Sequence, residues 1–453
     1  MLYNPNEFIK LLLSHSKKAG FSQSECFYEY GRSMEISILN GEVSMFEASD
    51  SNGISFRGQS NGQMGYAFSE EYTDASMEFL LAQAKMNADV LESSEKETVF
   101  EGDKEYGQAN VYSQELDELT FTDYAELGLE LEKKIRAKDP RIVAVDHCSV
   151  SYGSSGFMIE NTCGLSLAHK SNMMFVYAEA RCEDAGQVKT GSAYWVGRDI
   201  RQLSIDALCD KIVRDTVGKL GASTVKSGKY NVVIDAEAAA DLLSTFSGIF
   251  SADLIQKGFS LIGEKMNTRI APSYVSIHDD ASHPQSITSI PFDSEGVSTR
   301  SKTLVDKGIL VSILHNRKTA DKADTSSTGN GFRSGYKGSI NIGTTNFYIE
   351  PGVSSQEKLF MDIQSGIYIT ELSGLHAGAS IVSGDFSLSC EGYIIENGQI
   401  GRAVDQITIA DNFYQLLEKI VQVGSDLYFN PPSESGSIGS PSLQLSDIAI
   451  SGD

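Results

Sequence analysis

Hydrophobic residues in the first half of the chain recur with two different periods, which predict alternating helices and strands. Between Phe8 and Ala19 they recur every three or four positions, as on one face of a helix, and Gly20 stands where that helix would end. Between Cys26 and Phe68 apolar and polar residues alternate, which predicts about four antiparallel strands. Asn-Gly pairs favour the type I′ turns of hairpins, and they mark the predicted turns: Asn40-Gly41, Asn52-Gly53 and Asn61-Gly62.

A similar order of elements follows further along the chain. The predicted elements are a helix from Met77 to Ala88, a helix from Leu127 to Ile135, strands from Ile142 to about Trp195 and a helix from Ile205 to Leu220. The acidic stretch from Glu92 to Glu118, between the first two of these helices, indicates a solvated connector. We therefore predict an N-terminal α+β domain over residues 1-224, built either as a whole or as two similar units at about 1-100 and 120-224.

The remainder of the chain is richer in strand patterns and glycine than in helical patterns. Val232–Ile234 predicts a buried strand, Asp235 an N-cap, and the apolar stripe from Ala239 to Phe250 a buried helix. A further helix is predicted from Phe413 to Val421, and an exposed loop from Pro431 to Pro441. The fold class is therefore α+β, with antiparallel sheets and packed helices in the N-terminal half and a β-rich C-terminal domain, residues 225-453, with few helices.

Charge and composition narrow the classes of function. The 61 acidic and 37 basic residues give a net charge of -24, which repels a phosphate backbone, so we expect no nucleic-acid partner. The six cysteines include no C-x-x-C pair and predict reduced thiols. Because neither an export signal nor a bilayer-length apolar run is present, we expect a cytoplasmic protein without a membrane partner.

Two common catalytic motifs, H-E-x-x-H and G-x-x-x-x-G-K-[ST], do not occur in the sequence. His278 and His283 lie in a polar stretch ending in proline, which favours a surface turn over a pair of metal ligands. Glu237 and Asp241 are four positions apart on a predicted helix, which favours a solvated face over an acid/base pair. Pattern alone thus indicates an acidic α+β protein without identifying its function.

Several phrases of the second half, in their order and spacing, resemble the TldD/PmbA family, whose members are described as modulators of DNA gyrase and as peptidases. The phrases are Pro291–Gly296, Thr303–Leu310, Thr328–Gly331, Ser383–Ser387, Gly392–Gly398 and Val423–Asp426. In the first half, Gly41–Phe68 and Asn161–Leu165 are similar to the family as well. The resemblance spans nearly the whole chain and implies a metalloprotease-like C-terminal domain.

The resemblance also implies where a metal site would lie. TldD-type subunits carry His-Glu-x-x-x-His on the helix after the buried strand, together with a cysteine in the C-terminal loop. On this chain the motif falls on Ser244 to Ile249, so that Ser244 and Ile249 replace the histidines and Thr245 replaces the glutamate. No cysteine follows Cys390. A hydroxyl and a hydrocarbon cannot hold zinc, and threonine cannot serve as the general base for a zinc-bound water.

The chain thus resembles the PmbA/TldE branch, which implies the non-catalytic partner in a TldD–TldE heterodimer that degrades unfolded peptides. We expect no cofactor in this chain and zinc in a TldD-like partner subunit. With that partner the chain would form the heterodimer, and without it the chain would form a homodimer. Asn330, His376 and Asp385 lie in the family's loop motifs and are candidates for chamber or interface lining, or for stabilising loops by hydrogen bonds.

Two alternatives stay open. The first is an autonomous metalloprotease with other ligands, such as His315 or His376 with Asp385. The second is a protein-binding factor that modulates gyrase. The negative charge counts against contact with DNA itself but not against a protein partner.

Overall fold

The computed structural model describes residues 2–91, 97–433 and 436–453, and over these residues the predicted α+β class is confirmed. The helices are α1 (Pro5–Lys18), α2 (Asp74–Asp89), α3 (Gln114–Asp117), α4 (Phe121–Lys138), α5 (Ile205–Val217), α6 (Ala236–Phe246), α7 (Ala252–Gln256), α8 (Arg317–Lys322), α9 (Gln356–Ile363) and α10 (Phe413–Glu418), with 3₁₀ turns at Ile200–Gln202, Ser247–Phe250 and Leu261–Lys265. The strands are β1 (Ser24–Leu39), β2 (Glu42–Ser60), β3 (Gln63–Ser69), β4 (Ile142–Asn161), β5 (Ser166–Asp184), β6 (Gln187–Gly197), β7 (Gly228–Ile234), β8 (Ile277–Asp279), β9 (Lys302–Asp306), β10 (Ile309–Leu310), β11 (Gly331–Arg333), β12 (Ile340–Ile342), β13 (Asn346–Ile349), β14 (Ser365–Ser373), β15 (Asp385–Glu396), β16 (Gln399–Asn412), β17 (Ile420–Val423), β18 (Tyr428–Phe429), β19 (Ser437–Ser440) and β20 (Leu443–Ser451).

The N-terminal half is built on one antiparallel sheet of six strands in the order β3-β2-β1-β4-β5-β6. Long pairing between β1 and β4, from Glu25 with Asn161 to Ser37 with Ser149, joins the two halves of this sheet. Helices α1 and α2 share one hydrophobic cluster with β1, β2 and β3, whereas α4 and α5 share another with β4, β5 and β6. Two helix-covered segments with similar element order thus share a continuous sheet.

The first meander has three strands, so the prediction of about four was wrong. Asn40-Gly41 and Asn61-Gly62 form the predicted turns, with positive φ at all four residues. Asn52 and Gly53 instead lie inside β2, paired with Tyr30 and Glu29. Gly53 is needed for a different reason, because a Cβ there would lie 2.3 Å from the ring of Tyr336, which comes from the other half of the chain.

The C-terminal half contains two six-stranded mixed sheets, β16-β15-β14-β7-β20-β17 and β10-β9-β8-β13-β19-β18. Helix α6 contacts β14 of the first sheet and β19 of the second. Its buried Leu242 and Phe246 therefore belong to the largest hydrophobic core of the protein, together with Phe250 and Phe347. This packing confirms the predicted buried helix face and fixes the position of α6.

Two predictions near the C terminus were wrong. The last helix, α10, ends at Glu418, and Val421 lies in strand β17. Part of the predicted exposed loop, Ser437–Ser440, is the buried strand β19, which runs parallel to β13; residues 434 and 435 of that loop lie outside the described residues. The small residues of β19 can be buried because their polar groups are bonded, as in Ser437 N–H to the Thr345 carbonyl (2.8 Å).

The predicted acidic connector differs in part from the structure. Its residues 92–96 lie outside the described residues, and the chain from 97 to 113 has no helix or strand. Val99 and Val111 in this stretch are buried, and Thr98 accepts a hydrogen bond from Arg317 of the C-terminal half. The described part of the connector is therefore packed against the protein rather than fully solvated.

Within the described residues, none of the helices combines the length and apolar character needed to cross a bilayer.

Candidate functional site

The start of α6 is fixed by contacts of Asp235, which follows the buried strand β7. Its Oδ1 accepts a hydrogen bond from the Glu237 N–H (3.0 Å), as an N-cap does. Its Oδ2 accepts hydrogen bonds from Gln356 Nε2 (3.0 Å) and from the Tyr368 hydroxyl. The predicted cap is confirmed, and it sets the direction in which the last turn of α6 points.

The last turn of α6 lines a cavity of about 540 Å³, which we call the cleft cavity. Its lining residues are Asp241, Ser244, Thr245, Ser247, Gly248, Ser251, Leu314, Ile342, Gly343, Thr344, Leu375, His376, Ala379 and Ile381. Ser244 and Thr245 thus lie at the cavity, but Ile249 is 0% exposed and belongs to the hydrophobic core. The three positions singled out by the family motif therefore do not share one surface in this chain.

Three polar side chains of the cleft cavity, those of Asp241, Thr245 and Ser247, form hydrogen bonds with nearby groups. The Thr245 hydroxyl donates to the Asp241 carbonyl (3.0 Å), and the Ser247 hydroxyl donates to the Ser244 carbonyl (2.9 Å). The Asp241 carboxylate accepts a hydrogen bond from Asn430 Nδ2 (2.7 Å). Burial raises the pKa of Asp241, and the bond from Asn430 opposes that rise.

The side chains that line the cleft cavity do not fit a zinc ion. A catalytic zinc site needs three ligands from histidine, cysteine or carboxylate side chains, whereas the lining of the cleft cavity offers one imidazole, that of His376, and one carboxylate, that of Asp241. Across residues 2–91, 97–433 and 436–453, no three such side chains are grouped closely enough to hold a metal ion.

The carboxylates of Glu237 and Asp241 are less solvated than predicted. The Glu237 side chain is 33% exposed, and burial raises its pKa to about 7, although Lys211 at 3.8 Å opposes this. Glu237 contacts Lys211, whereas Asp241 contacts Asn430. The two carboxylates thus have different partners on this face of α6.

Asn330 is completely buried and connects the cleft cavity to a buried ion pair. Its Nδ2 donates to Asp279 Oδ2 and to the Gly343 carbonyl, both at 2.8 Å. Its Oδ1 accepts hydrogen bonds from Lys302 Nζ (2.9 Å) and the Thr328 hydroxyl (2.8 Å). Both polar atoms of this side chain are therefore hydrogen-bonded, and the bond from Nδ2 holds the segment that lines the cavity at Gly343.

His376 and Asp385 occupy different surroundings. His376 is exposed and lines the cleft cavity. Asp385 is exposed at the start of β15, and the hydrogen bond from Asn412 Nδ2 (2.8 Å) holds its pKa below the usual range. Asp385 is absent from the lining of the cleft cavity, so the structure brings one of these three candidates, His376, directly to that cavity.

Sequence reasoning missed Asp279, Lys302 and Thr345, which form the ion pair and its support. Asp279 lies in the polar stretch predicted as a surface turn, yet it is 0% exposed at the end of β8. Lys302 Nζ lies 2.8 Å from its carboxylate, and Thr345 donates to it through both its N–H (2.7 Å) and its hydroxyl (2.8 Å). The sequence offers one indication that Asp279 is buried, since it lies two positions after the apolar Ile277 and so on the same face of a strand. It does not indicate the partners of Asp279, which lie more than 20 positions away.

The two histidines of that polar stretch pack on one aromatic ring. The rings of His278 and His283 lie 5.4 and 4.7 Å from the Tyr348 ring. His278 also contacts the Thr303 hydroxyl (3.1 Å), and burial lowers the pKa of His283. His278 is part of strand β8 rather than of a turn.

Family models match three successive parts of the chain. They are the PmbA/TldA metallopeptidase domain 1 over residues 24–88, the central domain over residues 114–220 and the C-terminal domain over residues 227–452. Among curated relatives, a metalloprotease of Methanocaldococcus jannaschii is 25% identical over 409 residues, which is 88% of each chain. The metalloprotease PmbA of Escherichia coli O157:H7 is 26% identical over 339 residues, 72% of this chain and 70% of that protein.

Solved structures agree with these matches. A Thermotoga maritima MSB8 protein, described as a proposed modulator of a DNA gyrase, is 30% identical and superimposes with a TM-score of 0.90 over 99% of this chain and 100% of that one. TldE from Thermococcus kodakarensis has the same fold, with a TM-score of 0.90 at 23% identity over 98% of this chain and 100% of that one. This chain therefore belongs to the PmbA/TldD family.

Proposed function

We propose that this chain is the subunit of a TldD–TldE-type peptidase that carries no zinc site of its own and helps a zinc-bearing partner to degrade or process unfolded peptides. The observation that carries the proposal is the pair of hydroxyl side chains, Ser244 and Thr245, at the cleft cavity. The resemblance assigns histidine and glutamate to these positions in the metal-bearing subunit, whereas this chain has neither a ligand nor a base there.

A hydrogen bond at the cleft cavity supports a structural role for the Thr245 hydroxyl. Thr245 donates its proton to a carbonyl of its own helix, 3.0 Å away. A hydroxyl engaged in this way cannot take a proton from water as a glutamate could. At the two motif positions, Ser244 and Thr245, the α6 face of the cavity thus offers neither a zinc ligand nor a general base.

An open strand edge beside the cavity suits an extended peptide. Strand β12 pairs with β11, and within the described residues this two-stranded sheet has no other strand partner. Its last residue, Ile342, lines the cleft cavity. An unfolded peptide could pair with such an edge through backbone hydrogen bonds, which tolerate many sequences.

Peptidase activity of the separate and combined chains tests the proposal. We expect the isolated chain not to cleave an unfolded peptide, and an equimolar mixture with a partner carrying His-Glu-x-x-x-His to cleave it until a chelator is added. Chelator-sensitive cleavage by the isolated chain would show that it is an autonomous metalloprotease. Failure of the two chains to co-purify would contradict the heterodimer.

Gly248→Leu tests whether the cleft cavity takes part in that activity. A Cβ at Gly248 would make ordinary contacts, the nearest being Leu254 at 3.5 Å, so the protein should fold while the cavity becomes smaller. We expect a several-fold rise in KM for the complex, because a peptide would lose space beside α6. The matched control is Gly228→Leu. Gly228 is the first residue of β7 and is absent from the lining of the cleft cavity, and a Cβ there would lie 3.6 Å from the Tyr230 ring, so KM should not change.

A further inference from the structure

A second cavity, of about 330 Å³, lies where the N-terminal sheet meets the C-terminal half, and we call it the junction cavity. Phe157, His169 and Arg198 line it from the N-terminal half, and Phe332 and Arg333 from the C-terminal half. Thr344 lines both this cavity and the cleft cavity, so the two spaces are neighbours. Its volume is at the lower end of the range of about 300–1,000 Å³ for small-ligand sites.

Arg198 has few partners for a half-buried cation. Its Nε donates to the Val111 carbonyl (2.7 Å), and this is its one hydrogen bond in the described part of the protein. No carboxylate among the described residues forms an ion pair with it within 4.0 Å. Burial without a compensating charge lowers the pKa of Arg198 to about 10, which still leaves it protonated at neutral pH. The cavity therefore has a cation whose terminal nitrogens are available to a ligand.

Arg333 adds a second, more deeply buried cation. Its side chain is 2% exposed, and its guanidinium lies 5.0 Å from the centre of the Phe27 ring. Its Nη2 is 3.9 Å from Glu25 Oε1, but Glu25 is closer to Arg57, at 2.8 Å. The Nε of Arg333 is buried without a hydrogen-bond partner. Arg333 is therefore only partly compensated by protein groups.

The remaining titratable residues of the lining do not cancel this charge. Burial, and then the charge of Arg198, lower the pKa of His169 to about 4, so His169 is neutral at physiological pH. Glu29 accepts a hydrogen bond from the Tyr336 N–H (2.8 Å), and burial raises its pKa. Three phenylalanine side chains, those of Phe27, Phe157 and Phe332, also line the cavity, and Phe157 stacks on Phe27 with ring centres 5.3 Å apart. The described lining thus carries two arginines against one carboxylate, that of Glu29.

We propose that the junction cavity binds the carboxylate of a ligand with an aromatic or aliphatic body, with the carboxylate on the guanidinium of Arg198 and the body against the phenylalanine rings. A planar guanidinium and a carboxylate form two parallel hydrogen bonds, which would complete the donors that the protein leaves open. The free C terminus of a short apolar peptide and a free aryl carboxylic acid share this chemistry. The site does not depend on the proposed partner subunit, because all of the residues that define it belong to this chain.

Calorimetric titration of the full chain tests the proposal with three probes: the peptide Ala-Ala-Phe, its C-terminal amide, and 3-phenylpropionate. We expect the free-acid peptide to bind about tenfold or more tightly than the amide, as loss of a charge-assisted hydrogen bond predicts. Tighter binding of the peptide than of 3-phenylpropionate identifies a peptide C terminus as the ligand, and the reverse order identifies a small acid. Equal binding of acid and amide, or no saturable binding of either acid, overturns the proposal.

Variants of Arg198 assign the binding to this cavity. Arg198→Gln should weaken binding of the preferred acid by about tenfold or more, and Arg198→Lys should weaken it less because the charge remains. Arg201→Gln is the matched control, since Arg201 is 72% exposed, is paired with Asp199 and is absent from the lining. Thermal unfolding of each variant verifies that it is folded. Unchanged affinity in Arg198→Gln, or an equal loss in Arg201→Gln, overturns the assignment.

Discussion

The buried charges behind the cleft cavity and those behind the junction cavity are balanced in different ways. Behind the cleft cavity, Asp279 has one cation, Lys302, and accepts further hydrogen bonds from Asn330 and Thr345. Behind the junction cavity, Glu25 is shared by two cations, Arg57 at 2.8 Å and Arg333 at 3.9 Å.

The network behind the junction cavity is also less completely hydrogen-bonded than the one behind the cleft cavity. Nε and Nη2 of Arg57, Nε of Arg333 and Oε1 of Glu25 are buried without an aligned hydrogen bond. Asp279, Lys302 and Asn330 have no such atoms. A fully bonded network holds one backbone arrangement, whereas unfilled donors beside a cavity can be completed by a ligand. The comparison therefore separates a fully bonded network behind the cleft cavity from an incompletely bonded one behind the junction cavity.

Replacing Lys302 by methionine should have the largest effect on stability. Asp279 would keep a buried charge without its cation, and breaking a buried pair from one side costs about 3–5 kcal/mol of unfolding free energy. Urea unfolding followed by circular dichroism measures this loss. The control Lys302→Met/Asp279→Asn should recover part of it, because the uncompensated charge is removed as well. A single variant as stable as the wild type would contradict the role of this network.

A pH series on His169→Gln examines the charge of the junction cavity. The pKa of His169 is about 4 in the folded protein, below its ordinary value of 6.5, so protons bind the unfolded chain preferentially between these pH values. This residue should therefore lower wild-type stability, by about 2 kcal/mol, as the pH falls from 7 to 4.5.

The variant should lack this component, so the stability difference between the two proteins should change over that window alone. Chemical denaturation at each pH measures it, and the carboxylates, which titrate in both proteins, cancel in the difference. A difference that is constant from pH 7 to pH 4.5 would show that His169 is not desolvated beside a cation.

Arg57→Met should have the smallest effect of the three. Glu25 would lose its nearest cation, Arg57 at 2.8 Å, but keep Arg333 at 3.9 Å. We expect a loss of about 1 kcal/mol, well below that for Lys302→Met, because the buried carboxylate stays paired. The same urea unfolding experiment compares the two variants. Equal losses would remove the contrast between the networks.

Local features of the fold were predictable because they depend on neighbouring residues. The amphipathic stripe of α1, the turns at Asn40-Gly41 and Asn61-Gly62, and the cap at Asp235 are confirmed. Each arises from side-chain spacing, from the positive φ that Asn and Gly tolerate, or from a carboxylate two positions before an N–H. The prediction of a turn at Asn52-Gly53 was wrong because the glycine there is required by a residue distant in sequence, Tyr336, whose ring packs against it within β2.

The candidate site was predictable in part. The position of Ser244 and Thr245 at a cavity followed from the motif and from the helix after β7. The burial of Ile249 did not follow, because the helix tightens into a 3₁₀ turn at Ser247–Phe250 and turns that side chain into the core.

Taken alone, the sequence determined the α+β class, the main helices, the family and the residue types at the positions of the family's zinc motif, since all of these depend on spacing or on residue identity. The tertiary structure decided which distant groups meet: Asn330 with Asp279, Arg333 with Glu25, and Arg198 with the lining of the junction cavity. These pairings join strands and loops tens to hundreds of positions apart. Their energies depend on burial and on the balance of charge, and neither exists until the chain has folded.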